Sequence, residues 1–241
     1  MPSGIIAGTA IYSLQGLDLE EIQVETEYGN AVLYQGEVDG QELYFLPRHG
    51  VEHVLPPHKI NYRANLQALD SRGVTAVLAA YAVGSINQNI PPLSVVVLDD
   101  LIDFTSGREL TFFDGGESGV EHVDMSTPFH PRLREILLKT AQDFPLEMRD
   151  GGVYVAVDGP RLETPAEIRL FRQWGCDVVG MTAVPECILA HELGMNYAAA
   201  AFSVNWAAGI EDEVRIVENG LKMTTDQLMD LFIRTLIKYQ R

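Results

Sequence analysis

Val153-Tyr154-Val155-Ala156-Val157, then Asp158-Gly159-Pro160-Arg161-Leu162-Glu163, then Thr164-Pro165-Ala166-Glu167 read as strand, loop and helix start in immediate succession. The first run is apolar and short, which suits a buried strand. Thr164 with Glu167 forms a capping box: the hydroxyl accepts from the third helical N–H while the glutamate reaches back to the cap. Pro165 supplies the fixed φ of a first helical position. Gly175 then closes the expected helix.

The same alternation extends in both directions. Residues 4–7 read as a buried strand ending in a turn at Gly8. Residues 31–37 and 41–46 flank Asp39-Gly40, a hairpin signal. A helix is expected over 61–72, closed by Gly73, and a buried strand from 74 to about 82. Residues 95–98 form a further strand, with a helix from about 131 to 143 before Val153. Strands over 177–180 and 197–205 bracket a helix from 185 to 193. Thr224 to Gln227 repeats the capping-box pattern and is expected to open the C-terminal helix. No repeat or linker divides the chain. The expectation is therefore one α/β domain over residues 1–241, a central mixed β-sheet flanked by helices, with functional residues where strands end.

With 17 basic against 34 acidic residues, the net charge of −17 argues against nucleic acid or an anionic membrane as partner. A small anion is still compatible, because charges beyond about 8 Å are largely screened at physiological salt. Hydrophobic content of 46% and charged content of 21% fit a soluble globular chain rather than a disordered one. Its longest apolar runs are too short to span a bilayer. Met1-Pro2-Ser3 lacks the basic start of a signal peptide, and two cysteines give no disulfide framework. A reduced, cytoplasmic protein is expected.

Several short segments offer chemistry, each with a plainer alternative. Gly8-Thr9-Ala10 presents backbone N–H groups and a hydroxyl to an anion, or is an ordinary tight turn; it is not a Walker loop. Arg48-His49 suits phosphate, or a surface ion pair. His49, His53 and His58 suggest a metal, but Gly50, Pro56 and Pro57 disfavour the helix that would align them. Tyr81-Ala82-Val83-Gly84-Ser85 ends a strand with small residues, for close approach of a ligand or for packing. Gly180-Met181-Thr182 has the same character. Asp99, Asp100 and Asp103 read as a solvated strand end rather than a metal cluster. Glu163 precedes a helix N-terminus, where the dipole should keep it ionised. Asn205 ends an apolar strand, where its amide either needs a partner or initiates a turn.

Taken in order, these segments resemble the trimeric purine nucleoside phosphorylases, in the branch of the methylthioadenosine and methylthioinosine phosphorylases. The resemblance rests on the Gly-Thr turn, Arg48-His49-Gly50 with His53, and Ile60-Asn61-Tyr62-Arg63-Ala64-Asn65. It continues through Ala82-Val83-Gly84-Ser85, Gly159-Pro160-Arg161, Glu163-Thr164 and Gly180-Met181-Thr182 with Pro185-Glu186. Residues 210–222 match poorly. Ala10 and Tyr81 stand where the family usually has a glycine and a small polar residue.

This resemblance implies phosphate attack on the anomeric carbon of a purine nucleoside. Thr9, Arg48, His49, Thr182 and the backbone at Ala82 would hold phosphate. Met181 would lie against the ribose and Leu162 near the base. Glu163 and Asn205 would grip the base, with Ala207 where adenine-cleaving relatives carry an aspartate. His122 would serve the 5′ side of a neighbouring subunit's sugar, implying a homotrimer, and Thr225 lies in the stretch expected near the same 5′ group. Neither metal nor organic cofactor is implied; inorganic phosphate is the co-substrate. The base is expected to be a 6-oxopurine and the 5′ substituent methylthio, with a general inosine or guanosine phosphorylase, or a methylthioadenosine phosphorylase, as the alternative. A nucleoside hydrolase and a non-catalytic nucleoside-binding protein are the rival classes.

Overall fold

The structure, a computed structural model, describes residues 1–11, 14, 16–50 and 54–240. In chain order it contains β1 (Ser3–Ala7), β2 (Glu20–Thr26), β3 (Gly29–Val38), β4 (Gln41–Pro47), a 3-10 turn (Pro57–Lys59), α1 (Tyr62–Ser71) and β5 (Ala76–Ser85). There follow β6 (Val95–Val97), β7 (Asp100–Asp103), α2 (Pro131–Ala141), β8 (Met148–Asp150), β9 (Val153–Ala156), α3 (Pro165–Gln173), β10 (Val178–Gly180), α4 (Ala183–Glu192), β11 (Asn196–Trp206) and α5 (Leu221–Tyr239).

All these strands join in one mixed sheet, and β5 is its spine. One edge of β5 pairs in parallel with β11, from Ala76 opposite Asn196 to Ser85 opposite Trp206. Its other edge is divided between two strands. β1 runs parallel to the first part, with Ser3 opposite Ala76 and Ile6 opposite Ala79. β10 enters from the other direction, antiparallel, with Val178 opposite Ser85 and Val179 opposite Gly84. Among the described residues, none pairs as a strand with residues 80–83 on that edge. Beyond β1 lie β4, β3 and β2; beyond β10 lie β9 and β7; β6 and β8 extend the sheet past β11.

The period-two alternation of a strand sends the side chains of β5 and β11 into two different cores. Val77, Ala79 and Tyr81 join Tyr197, Ala199 and Ala201 against Leu66 of α1 and Leu189 of α4. Ala76, Leu78 and Ala80 join Ala198, Ala200 and Phe202 against Leu137 of α2 and Phe232 of α5. Ile168 and Phe171 of α3 cover a smaller cluster with Val155 and Val179. The expected α/β class and central mixed sheet flanked by helices are what the chain forms.

Differences from the sequence reading have physical causes. β2 was not expected, because Glu20, Glu21 and Glu25 give it little apolar pattern. It is an outer strand with only Val24 buried, and charge blunts its open edge. β5 continues to Ser85, past the expected end at about 82. The capping box at Thr164 and Glu167 forms on both sides, but the one at Thr224 does not. α5 starts a turn earlier, after Gly220 at φ 87°, and Thr224 and Thr225 lie inside it as buried residues. Its buried stripe, Thr224, Leu228, Phe232 and Leu236, continues through that turn at helical spacing. No helix among the described residues is long and apolar enough to cross a membrane.

Phe232 is fully buried in the face that α5 presents to the sheet. Phe232→Ala is expected to lower unfolding free energy by about 3–5 kcal/mol, read as a shifted denaturant midpoint with the slope unchanged.

Candidate active site

The divided edge of β5 organises the site. Alternate residues of a strand direct their backbone N–H and C=O groups to opposite edges. The Ala80 carbonyl faces the divided edge, where it accepts from Arg48 Nη1 at 3.0 Å. Two residues on, the N–H of half-buried Ala82 faces the same way. β1 runs into Gly8-Thr9 on one side of this gap, and β10 runs into Met181-Thr182 on the other. A Cβ on Gly8 would sit 2.7 Å from the His49 ring and 3.3 Å from Arg48 Nη1, so only glycine lets this turn approach them. The Arg48 N–H donates to the Ala7 carbonyl at 2.7 Å, which fixes β4's end beside β1's. Thr9, Arg48, His49, Ala82 and Thr182 therefore converge on one opening.

Arg48 is only 2% exposed, and its burial is compensated by Glu186 of α4. Nε donates to Glu186 Oε2 at 2.5 Å and Nη2 to Oε1 at 2.9 Å. The hydroxyls of Tyr81 and Tyr197 also donate to Oε1, at 2.9 and 2.7 Å, and contact one another. The Tyr81 ring lies under the guanidinium, 4.5 Å from its centroid to Cζ. Burial alone would push Arg48 down, but the Glu186 carboxylate outweighs it and holds Arg48 above its ordinary pKa. Burial raises both tyrosines well above theirs. Three of the five guanidinium N–H groups are thus engaged, leaving one on each Nη for a ligand. His49 donates from Nδ1 to the Leu55 carbonyl at 2.8 Å; a carbonyl only accepts, so Nδ1 carries the proton. Tyr154, raised to about 12 by burial, accepts from the Thr182 N–H at 3.2 Å and holds that loop.

On the other side of the opening, Gly159 takes φ 64° and packs directly on Met181. A Cβ there would lie 2.3 Å from the Met181 sulfur. The loop then carries Glu163, half-buried, into a cavity of about 270 Å³ that Phe104, Asp158 and Arg161 help to line, while Leu162 is 49% exposed beside it in sequence. Burial raises the pKa of Glu163 above the ordinary carboxylate value, and Glu167 adds to the rise. Asn205 is placed by a β-bulge: Ser203 pairs with Val83, yet Asn205 pairs with Gly84. The extra residue moves Asn205 out of the Tyr81 and Val83 series to the Ala82 face. Gly84 makes room, since a Cβ there would lie 3.2 Å from Asn205 Nδ2 and 3.6 Å from the Ala207 Cα. Nδ2 donates to the Trp206 carbonyl at 2.8 Å, and Ala207 is buried beside it.

Two expected residues are not brought into this opening by its described contacts. His122 is exposed. Thr225 is buried in α5, its hydroxyl donating to the Lys222 carbonyl at 3.0 Å. His53 lies outside the described residues, and among those described no three His, Cys, Asp or Glu side chains are grouped to hold a metal. Sequence reasoning missed Tyr197 and Phe104 altogether. It met Tyr81 and Glu186 only as motif letters; the signal available was a tyrosine and a glutamate inside otherwise apolar segments, each needing a buried partner.

Comparison with known proteins finds relatives over nearly the whole chain. A family model described as the phosphorylase superfamily matches residues 3–234. A probable 6-oxopurine nucleoside phosphorylase of Moorella thermoacetica is 46% identical over 237 residues, covering 95% of this chain and 91% of that protein. A probable S-methyl-5′-thioinosine phosphorylase of Xylella fastidiosa is 47% identical over 215 residues, covering 88% of this chain and 91% of the other. Among solved structures, a mutant of adenosine/methylthioadenosine phosphorylase from Schistosoma mansoni in complex with tubercidin superposes with TM-score 0.91. It is 30% identical, over 99% of this chain and 91% of that one.

The raised pKa of Glu163 has a measurable sign. The folded state favours its protonated form, so its contribution is fully present below the unfolded value of about 4.3 and is lost as pH rises through the folded value. Gln does not titrate. The melting temperature of Glu163→Gln relative to the parent should therefore increase between pH 4 and pH 8; a constant difference would contradict the assignment.

Proposed function

This chain belongs to the phosphorylase superfamily, and on that premise we propose that it cleaves the N-glycosidic bond of a 6-oxopurine nucleoside with inorganic phosphate. S-methyl-5′-thioinosine is the favoured substrate, giving hypoxanthine and 5-methylthioribose 1-phosphate, a salvage reaction of the cytoplasm. The observation that carries this reading is the gap on β5, where Arg48 keeps one N–H on each Nη beside the Ala82 backbone and the Gly8-Thr9 turn. That is a donor set for an oxyanion.

Phosphate rests on Thr9, Arg48, His49, Ala82 and Thr182. One phosphate oxygen forms the new bond to the anomeric carbon as the bond to the base breaks, and the bonding electron pair moves onto the purine. Positive charge on the sugar is met by the phosphate. Charge on the base is met by Asn205, which retains an amide N–H for the exocyclic oxygen; the proton that hydrogen phosphate gives up on becoming an ester goes through solvent to the imidazole nitrogen, whose N–H the Asn205 carbonyl then accepts. Glu163, once ionised, accepts the lactam N–H. Met181 lies against the ribose and Leu162 flanks the base. Positioning and electrostatics suffice for such chemistry, without metal or organic cofactor. His122, exposed on its own subunit, acts on the 5′ side of a neighbouring subunit's site in a homotrimer.

Both relatives named for 6-oxopurine nucleosides and for methylthioinosine are well above 40% identical, which supports a 6-oxopurine over adenine. Of the two names, the second specifies a 5′ substituent and the first does not. A general inosine and guanosine phosphorylase is the second reading, favoured by the ring nitrogens of His122, which suit a hydroxyl.

Base release is expected to require phosphate, and Arg48→Ala should raise the phosphate requirement far more than that for nucleoside. Equal release in phosphate-free buffer would make the protein a hydrolase. Specificity constants for 5′-methylthioinosine and inosine should differ tenfold or more in favour of the first, about 1.4 kcal/mol; a preference for inosine selects the second reading.

Adenine presents an amino donor to the Asn205 amide and a bare ring nitrogen to Glu163. Mismatches of this kind discriminate by up to about 10⁴-fold. Asn205→Asp should shift relative kcat/KM from inosine toward adenosine, and an unchanged ratio would remove Asn205 from base recognition.

A further inference from the structure

Arg108 lies in the segment after β7, outside every motif considered above, yet its side chain is only 3% exposed. Nη1 donates to the Val184 carbonyl at 2.5 Å. Nη2 donates to the carbonyls of Val157 and Asp158, at 3.3 and 3.1 Å. Nε faces Asp158 Oδ1 at 3.6 Å, and Nη1 also reaches the Tyr62 hydroxyl at 3.4 Å. Ser106 reinforces the grip, donating to the Asp158 carboxylate from its N–H at 3.1 Å and its hydroxyl at 2.9 Å.

These carbonyls belong to two different loops. Val157 and Asp158 lead directly into Gly159 and the loop bearing Leu162 and Glu163. Val184 follows Met181-Thr182, and its backbone departs from the helix at φ −112°, ψ 132°. One planar guanidinium therefore spans the base-side loop and the phosphate-side loop. A lysine has the charge but not the rigid, two-ended fork. The strands beneath are laddered, the Val157 N–H donating to the Gly180 carbonyl at 2.9 Å, whereas above them Met181 packs on Gly159 through an apolar and adaptable contact.

We propose that Arg108 is a positioning residue that couples the two halves of the site, so that phosphate binding strengthens binding of the purine. This rests on the function proposed above. The coupling is reciprocal, since each ligand changes the other's affinity by the same factor. Order in one loop reaches the other through the guanidinium, without a larger change of fold.

Hypoxanthine and inorganic phosphate test this without turnover, because no sugar is present. Calorimetry on the intact protein should show hypoxanthine binding at least about fivefold tighter with saturating phosphate than without it. In Arg108→Lys that ratio should fall below about twofold, although the variant keeps the charge. A purely structural role would lower the melting temperature while leaving the ratio intact. Asp158→Asn removes only the charge facing Nε and should give an intermediate ratio, which keeps the test open if Arg108→Lys does not fold. A parental ratio near one, or a folded variant of either kind with the full parental ratio, overturns the proposal. Failure of the phosphorylase reading is a separate result, seen as parental base release that ignores phosphate.

Discussion

β5 offers one edge to two strands that arrive from opposite ends, and neither strand fills it. Buried backbone groups need partners, so the uncovered stretch has to be satisfied by something other than a ladder. Arg48 satisfies the Ala80 carbonyl. Arg48 is buried in doing so, and Glu186 has to accompany it. Glu186 in turn accepts from Tyr81 and Tyr197, side chains of the two central strands. The gap, the arginine, the carboxylate and the tyrosine pair thus form one chain of requirements that starts with strand order.

That chain also accounts for Tyr81, one of the two residues at which the sequence departs from its family's pattern. Its ring lies beneath the guanidinium and its hydroxyl on Glu186. Removing one member of such a buried ion pair leaves an uncompensated charge, at a cost of about 3–5 kcal/mol. Specific orientation of the Arg48 fork comes with the arrangement: the edge holding Glu186 is committed, and the remaining donors point at the opening.

Features that depend on neighbouring residues were legible in the sequence. The capping box at Thr164 and Glu167 is a contact within one turn, and it forms as read. The identical pattern at Thr224 fails because the buried stripe of α5, a tertiary demand, extends one turn past it. The members of the site were readable through the family resemblance, but the reason they meet was not. β1 and β10 are separated by most of the chain, and nothing local states that they share an edge. The bulge beside Val204 escaped for a related reason, since it is defined only by its pairing to Gly84. The helix terminus beside Glu163 is visible in sequence, whereas its burial, which raises its pKa, is not.

The pairing of Arg48 with Glu186 has a kinetic consequence. Together the two side chains carry no net charge, so this pair adds no net positive charge to set against the −17 of the chain. A phosphate dianion approaching from solution is repelled at long range and held only once it reaches the N–H groups at close range. Encounter and capture are therefore governed by different physics. Added neutral salt shortens the repulsive field from about 30 Å at 0.01 M to about 8 Å at physiological strength, so the association rate for phosphate rises with ionic strength. Most anion sites, which attract their ligand by a positive surface, have the opposite dependence.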